Sequence, residues 1–228
     1  MTSETDETQT AIGARHGIRS RNDIIYEVVR DRICLREYTE GHVIHEIGLA
    51  NEFHVSRTPI RQALQRLVHE RFAETRNGVG TIVAPENPDL DDTWRFWIGL
   101  IGLIADSMTL HLPAELEGEY ARLETLAERL DGAAPAARAW PIWRGIHEAR
   151  LGMIGDEVIR QMADLMFYRT ARLWCRWWTE NPASMGRFLM QELRDSRAEI
   201  VRGERKALFR RHAVTLQALV DSHGTARA

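Results

Sequence analysis

The sequence predicts a mainly α protein in two parts: three helices with a β-hairpin, then an all-α antiparallel helical bundle. Three observations predict it. Apolar residues recur at helical spacing over most of the chain. One short glycine-bearing stretch reads as a hairpin. Two prolines within Ala84-Pro-Glu-Asn-Pro-Asp89 separate the parts. A chain of 228 residues can bury a real core as one large domain or two smaller ones.

Residues 1–18 are rich in Thr, Glu and Asp and are expected to form a disordered tail. From Asn22, residues Ile24, Ile25, Val28, Val29 and Ile33 recur at helical spacing, with Glu27, Arg30, Asp31 and Arg32 outside. Tyr38-Thr-Glu-Gly41 breaks that helix. A short helix follows from Glu46 to Phe53, with Ile47, Leu49, Ala50 and Phe53 as buried candidates. His54-Val-Ser56-Arg-Thr-Pro59 reads as a turn and a helix start. Ser56 is a good N-cap, and Pro59 falls in the first turn, where a missing N–H has no intrahelical partner to lose. Ile60, Leu64, Leu67 and Val68 make this helix's apolar face, and it ends near Glu70 to Arg71.

Phe72–Thr75 and Thr81–Ala84 read as strands joined by Arg76-Asn-Gly-Val-Gly80. Helix, helix, helix, hairpin is the winged helix-turn-helix order. Residues 19–84 are therefore assigned to that domain and 85–89 to a linker, with 90–228 helical. Six helical segments are expected, at 90–111, 114–131, 140–155, 157–181, 187–202 and 204–222, with no strand-like alternation among them.

Composition bounds the function. The chain is 44% apolar and 28% charged, with 33 acids against 30 bases and a net charge of −3. Neither part is basic as a whole, which argues against a wholly basic nucleic-acid coat but leaves room for a local patch. Cys34 and Cys175 are far apart without ligand-like spacing, so neither a CxxC site nor a disulfide framework is expected. The polar N-terminus carries no apolar signal region. Trp97–Leu112 is short and contains Asp106 and His111, so a buried helix is expected there and no membrane span. The expectation is a cytoplasmic protein. No Walker-type loop, GxGxxG, GxSxG or HExxH occurs, and residues 90–228 offer no paired carboxylates or nucleophile–base set, so no enzyme is expected.

Residues 54–82 hold five arginines and two acids, a local charge of +3 within the helix-turn-helix and wing. On the third helix Thr58, Gln62, Gln65 and His69 lie opposite the apolar stripe, and Arg57 and Arg61 flank it in the first two turns. That end of a recognition helix enters the major groove. An arginine fork can engage guanine O6 and N7 together, and glutamine can do likewise with adenine. The helix start, with Ser56 and Thr58, suits phosphates, which set register. The Asn77-Gly78 turn lacks bulk and can approach the minor groove or the backbone. The bland alternative is a solvated arginine face beside a plain turn.

Ile24 through Val83 resembles the DNA-binding domain of the GntR family of bacterial transcription regulators. Val55-Ser-Arg-Thr-Pro-Ile-Arg-Gln-Ala-Leu-Gln-Arg-Leu67 follows the family's VSRTPVREAL core, and Gly78-x-Gly80-Thr81 its wing. The resemblance implies that Arg57, Thr58, Arg61 and Gly78 contact an operator. One position departs: Ile47 stands where members often carry an arginine or another polar residue.

The helical part is similar to the FCD type of effector domain, which implies a central cavity and often a divalent metal held by one Asp and three His. His147 fits one ligand position. Trp143 replaces the Asp one turn earlier, Leu193 replaces the second His, and the last position falls near Thr215, with His212 three residues away. Two ligands hold a metal poorly, so a metal-free cavity and no cofactor are expected.

Trp140, Trp143, Trp174, Trp177 and Trp178 gather in two of the cavity-forming segments. Trp174, Trp177 and Trp178 share one helix side, a pattern more often core or dimer interface than ligand pocket. The expected effector is a mostly apolar or aromatic small molecule near Trp143, Trp174 and Trp178, its polar end anchored by His147 or Arg150. The expected whole is a homodimeric regulator, a repressor, that binds a pseudo-palindromic double-stranded operator. Two alternatives are a metal-dependent sensor of a small carboxylate and a helical ligand-binding or enzyme domain with a DNA-binding appendage.

Overall fold

Two compact units divide the chain at Glu86 in a computed structural model that describes residues 20–86, 90–130 and 134–224. The expected tail at 1–18 and residues 87–89 of the expected linker lie outside the described residues.

The first unit begins with α1 (Arg21–Cys34), and Ser20 starts it with a capping box. The Ser20 hydroxyl accepts from the Asp23 N–H at 3.2 Å, and the Asp23 carboxylate accepts from the Ser20 N–H at 3.2 Å. Ile25, Val29 and Ile33 are buried as the spacing requires, whereas Ile24 is exposed. Arg30 is a correction. It is buried, because Tyr26 turns inward beside it and takes a hydrogen bond from Arg30 Nη1 at 2.9 Å. The Tyr26 hydroxyl in turn donates to Glu70, and the Arg66 guanidinium lies 3.7 Å from the ring centroid. This brace fastens α1 to the far end of α3.

A two-residue strand, β1 (Val43–Ile44), follows. Such a strand is too short to show alternation in a sequence, and only its pairing reveals it. Next come α2 (Glu46–Glu52), α3 (Arg57–His69) and the strands β2 (Ala73–Arg76) and β3 (Gly80–Val83). The sheet is antiparallel in the order β1-β3-β2, with Val43 opposite Ile82 and Arg76 opposite Gly80. Leu49, Ile60, Leu64, Leu67, Phe72 and Ile82 fill the core. Ile47 and Phe53 depart from expectation: Ile47 is 61% exposed and Phe53 half-buried, because α2 turns only its Leu49–Ala50 edge inward.

The turn between α2 and α3 is a Schellman closure. Val55 N–H donates to Ala50 O at 3.0 Å and His54 N–H to Asn51 O at 3.4 Å. His54 therefore adopts φ 53°, the left-handed conformation that glycine occupies without strain.

The second unit contains α4 (Leu90–Ser107), α5 (Leu116–Glu128), α6 (Ala136–Leu151), α7 (Glu157–Glu180), α8 (Pro182–Val201) and α9 (Arg205–Gly224). Helix α4 packs on α7 and α9, α5 on α6 and α8, and α6, α7 and α8 on one another. Two boundaries move for physical reasons. Helix α8 starts at Pro182 and not near 187, because proline at the first helical position loses no bond. Helix α6 starts at Ala136 and runs through Pro141, held by the buried Ala139, Trp140 and Trp143 on either side of the lost hydrogen bond. An added Cβ at Gly145 would sit 2.7 Å from Leu123 Cδ2, so glycine there lets α6 and α5 approach closely. One isolated bridge, Leu110 to Ile154, interrupts the all-helical pattern among the described residues.

His54→Gly is expected to stabilise the first unit by roughly 0.5–1 kcal/mol, since relief of the left-handed strain exceeds the added unfolded-state entropy. Amide hydrogen exchange across α2 and α3 measures it, and protection should rise.

Candidate functional site

In the first unit, α3 presents Arg57, Thr58, Arg61, Gln62, Gln65 and His69 on its exposed side. The Arg57 and Arg61 side chains are 53% and 57% exposed. Both are tied to one acid outside the +3 segment: Glu46 Oε2 accepts from Arg57 Nε at 3.2 Å, Arg57 Nη2 at 2.7 Å and Arg61 Nε at 3.0 Å. The bonds from Arg57 first, then those from Arg61, hold the Glu46 carboxyl below the usual carboxylate range. Sequence reading missed Glu46, which lies 11 and 15 residues before its partners. Only the packing of α2 against the start of α3 joins them.

Ser56 does sit at the N-cap of α3, but its side chain makes no capping bond, which corrects its expected capping role. Its hydroxyl is left outside the helix's backbone ladder and exposed. Gln62 Oε1 accepts from Asn22 Nδ2 at 2.5 Å, so α1 orients that amide. Arg66 instead serves the fold through Glu70 and Asp23. The wing turn is three residues long, with Asn77, Gly78 and Val79 exposed and Gly78 at φ 75°. An arginine pair, an exposed polar helix face and a slender turn can together address a groove and its phosphates.

In the second unit, Arg150 from α6, Glu192 and Ser196 from α8, and His212 from α9 form a buried polar cluster. Arg150 Nη2 donates to Glu192 and, at 2.9 Å, to Ser196 Oγ. His212 Nδ1 lies 2.9 Å from the Glu192 oxygen that Arg150 holds. Burial raises Glu192, but Arg150 and then His212 outweigh it and draw its pKa to about 2. Burial, assisted by the Arg150 charge, pushes His212 down to about 4. His212 is therefore neutral at pH 7, and its Nδ1–H donates to Glu192. Arg150 Nε and Nη1 are buried without a hydrogen-bond partner.

A small cavity adjoins the cluster, lined in part by Trp97, Ile104, His147, Arg150, Phe209 and His212. It leaves about 10 Å³ for water centres, room for roughly one water molecule. His147 bonds Asp164 at 3.2 Å and stacks on Phe167 at 3.9 Å. Of the expected effector residues, the structure brings His147 and Arg150 to this cavity. Trp143, Trp174 and Trp178 stand apart from its lining in an aromatic core. Trp143 stacks on Trp174 at 5.4 Å and touches Phe188 and His212, while Trp178 Nε1 donates to Ala134 O at 2.8 Å.

A metal does not fit these residues. Glu192 and His212 converge on a guanidinium, which already supplies the positive charge a divalent ion would bring. His147 is committed to Asp164. No cluster of three or more His, Cys, Asp or Glu able to hold a metal occurs among the described residues. None of the described helices is long and apolar enough to cross a membrane.

Residues 22–83 match the family described as bacterial regulatory proteins, gntR family. The chain is 25% identical over 147 residues to an uncharacterized HTH-type transcriptional regulator in the TAR-I ttuE-ttuC' intergenic region of Agrobacterium vitis. That match spans 64% of this chain and 85% of the relative. Among solved structures, E. coli McbR/YncC is similar with a TM-score of 0.68 at 16% identity, covering 92% of this chain and all of that one. A putative transcriptional regulator GntR from Rhodococcus sp. RHA1 reaches a TM-score of 0.60 at 17% identity, with 92% of this chain covered. These two likenesses concern the fold.

The acid linkage of the helical unit follows from His212. Its folded pKa of about 4 lies below the ordinary 6.5, so its contribution is present above pH 6.5 and is lost as pH falls from 6.5 to 4. Over that window, unfolding should lose up to about 1.4 kcal/mol per pH unit, and His212→Gln should flatten the slope. All seven tryptophans lie after Asn87, so urea titrations followed by tryptophan fluorescence read this unit alone.

Proposed function

We propose that this chain, a DNA-binding transcription regulator of the gntR type, acts as a homodimer on a pseudo-palindromic operator. A small molecule bound in the helical unit sets its occupancy of the DNA. The observation that carries the DNA reading is the exposed Arg57–Arg61 pair in the first two turns of α3, within the segment that matches the family. Their guanidinium forks suit guanine O6 and N7, and Gln62 suits adenine. Ser56, Thr58 and the start of α3 hold phosphates, and the Asn77-Gly78 turn of the wing approaches the backbone or minor groove. Phe96 and Leu103, seven residues apart on α4, are exposed apolar side chains on one helix face and support self-association. The domain limits follow the same reading: a tail at 1–18, the DNA reader at 19–84, a linker at 85–89 and the effector and dimer domain at 90–228.

The effector is mostly apolar or aromatic, and its polar end meets Arg150 or His147. Supporting this are the Trp97, Ile104 and Phe209 walls of the cavity and the two Arg150 nitrogens, Nε and Nη1, that have no hydrogen-bond partner. The cavity must enlarge to admit it, and the stacked Trp143, Trp174 and Trp178 rings behind it would shift. Ligand binding then changes the spacing of the two readers and lowers operator affinity, as in a repressor relieved by its effector. The protein works in the cytoplasm, without cofactor or metal and without catalysis.

A gel-shift assay on the DNA upstream of its own gene tests the central claim. The wild-type chain should give a sequence-specific complex that Arg57→Ala plus Arg61→Ala abolishes; full specificity in the double variant would overturn the assignment. For the helical unit, titration with neutral aromatics and aromatic acids should change tryptophan fluorescence, and Arg150→Met should weaken the response. Tight zinc binding, with citrate bound through it, would instead establish the metal sensor.

A further inference from the structure

Glu46 is the first residue of α2, and a single one of its oxygens gathers two arginines of α3. Arg57 and Arg61 lie four residues apart, neighbours on one helix face. Each brings a long side chain whose freedom must be lost before it can read a base. The contacts differ. Arg57 offers Glu46 its side edge, Nε and Nη2. Arg61 offers Nε alone, which leaves its terminal Nη1–Nη2 fork for another partner. That fork matches guanine O6 and N7.

An acid at this place also acts on the competing mode of binding. Unrestrained arginines are sequence-blind phosphate ligands, and that contribution makes nucleic-acid affinity salt-dependent. The Glu46 charge offsets part of the Arg57–Arg61 field and repels a phosphate that approaches them. It leaves an uncharged base edge unopposed. Discrimination gains what general affinity gives up.

Resting on the reading of α3 as the base-reading helix, we propose that Glu46 is a positioning residue that determines specificity. It orients the Arg57 and Arg61 forks for guanine and suppresses their use on phosphates. The role needs one carboxylate that spans both arginines, so charge alone does not replace it.

The test uses the full chain. Duplexes are first selected from a random double-stranded library by the wild-type protein. Affinities are then measured for the selected sequence and for versions with each G·C pair changed to A·T, over a range of salt. In Glu46→Gln the guanine preference should fall about tenfold, and the slope of log affinity against log salt should steepen by about one to two as freed arginines take phosphates. Glu46→Asp keeps the charge one methylene short of the bridge, so its guanine preference should fall as in the glutamine variant while its salt slope stays near that of the wild type. Thermal unfolding of each variant confirms an intact fold. Wild-type base preference in Glu46→Gln would overturn the proposal, as would an equal loss on every duplex, the mark of a merely structural role. Wild-type base preference in Glu46→Asp would overturn the bridging geometry. Arg57→Ala plus Arg61→Ala separates the two levels: unchanged preference there removes the base-reading assignment itself, whereas its loss beside an unaffected Glu46→Gln removes only the positioning role.

Discussion

The helical unit is organised around a charge that it cannot solvate. Arg150 is 4% exposed, and a guanidinium at that depth is tolerable only beside a counter-charge. Glu192 supplies it from the facing helix, Ser196 takes a further N–H, and His212 stays neutral so that the local charge does not rise. Helices α6, α8 and α9 are thereby held in one relative register. Removing either member of the Arg150–Glu192 pair would strand the other in an apolar interior, a loss of about 3–5 kcal/mol. The aromatic rings packed nearby have no such demand and fill what space remains. In that sense Trp143, stacked on Trp174 and in contact with Phe188 and His212, is wall material around an electrostatic centre.

The first unit handles arginines by the same rule at the surface. Arg66 is spent on Glu70 and Asp23, and with Tyr26 it seals α1 onto the end of α3. Arg32 is spent on Glu52, which ties α1 to α2. Among the described residues Arg57 and Arg61 pair with Glu46 alone, outside the core, so their commitment is exchangeable where the others are structural. All five arginines of residues 54–82 are nonetheless exposed, so the +3 faces solvent even where Arg66 is tied to Glu70 and Asp23.

Much of the first unit was legible because its signals are local. Pro59 in a first turn, the buried Ile60, Leu64 and Leu67 stripe and the glycine-bearing wing all lie within a few residues of the feature they specify. What escaped was non-local. Strand β1 exists only through β3, Arg30 is buried only because Tyr26 is, and Glu46 matters only where α2 meets α3. Ile47 was misread because a helix as short as α2 has too few turns to show which edge faces inward. In the helical unit the element count was readable from periodicity. The pairing of Arg150 with Glu192, 42 residues away, has no counterpart in any local pattern. The sequence points to Arg150 as an anchor for an effector, but not to its partners Glu192 and Ser196 on another helix.

Each unit also contains one buried thiol, Cys34 at the end of α1 and Cys175 in the C-terminal third of α7, and they are not joined in a disulfide. A cysteine in such a place is inert until its surroundings open, so its rate of alkylation clocks that opening. The native chain thus has two built-in chemical timers, one for each unit. Quantifying the two modified peptides by mass would tell whether binding to one unit alters breathing in the other, with no substitution introduced.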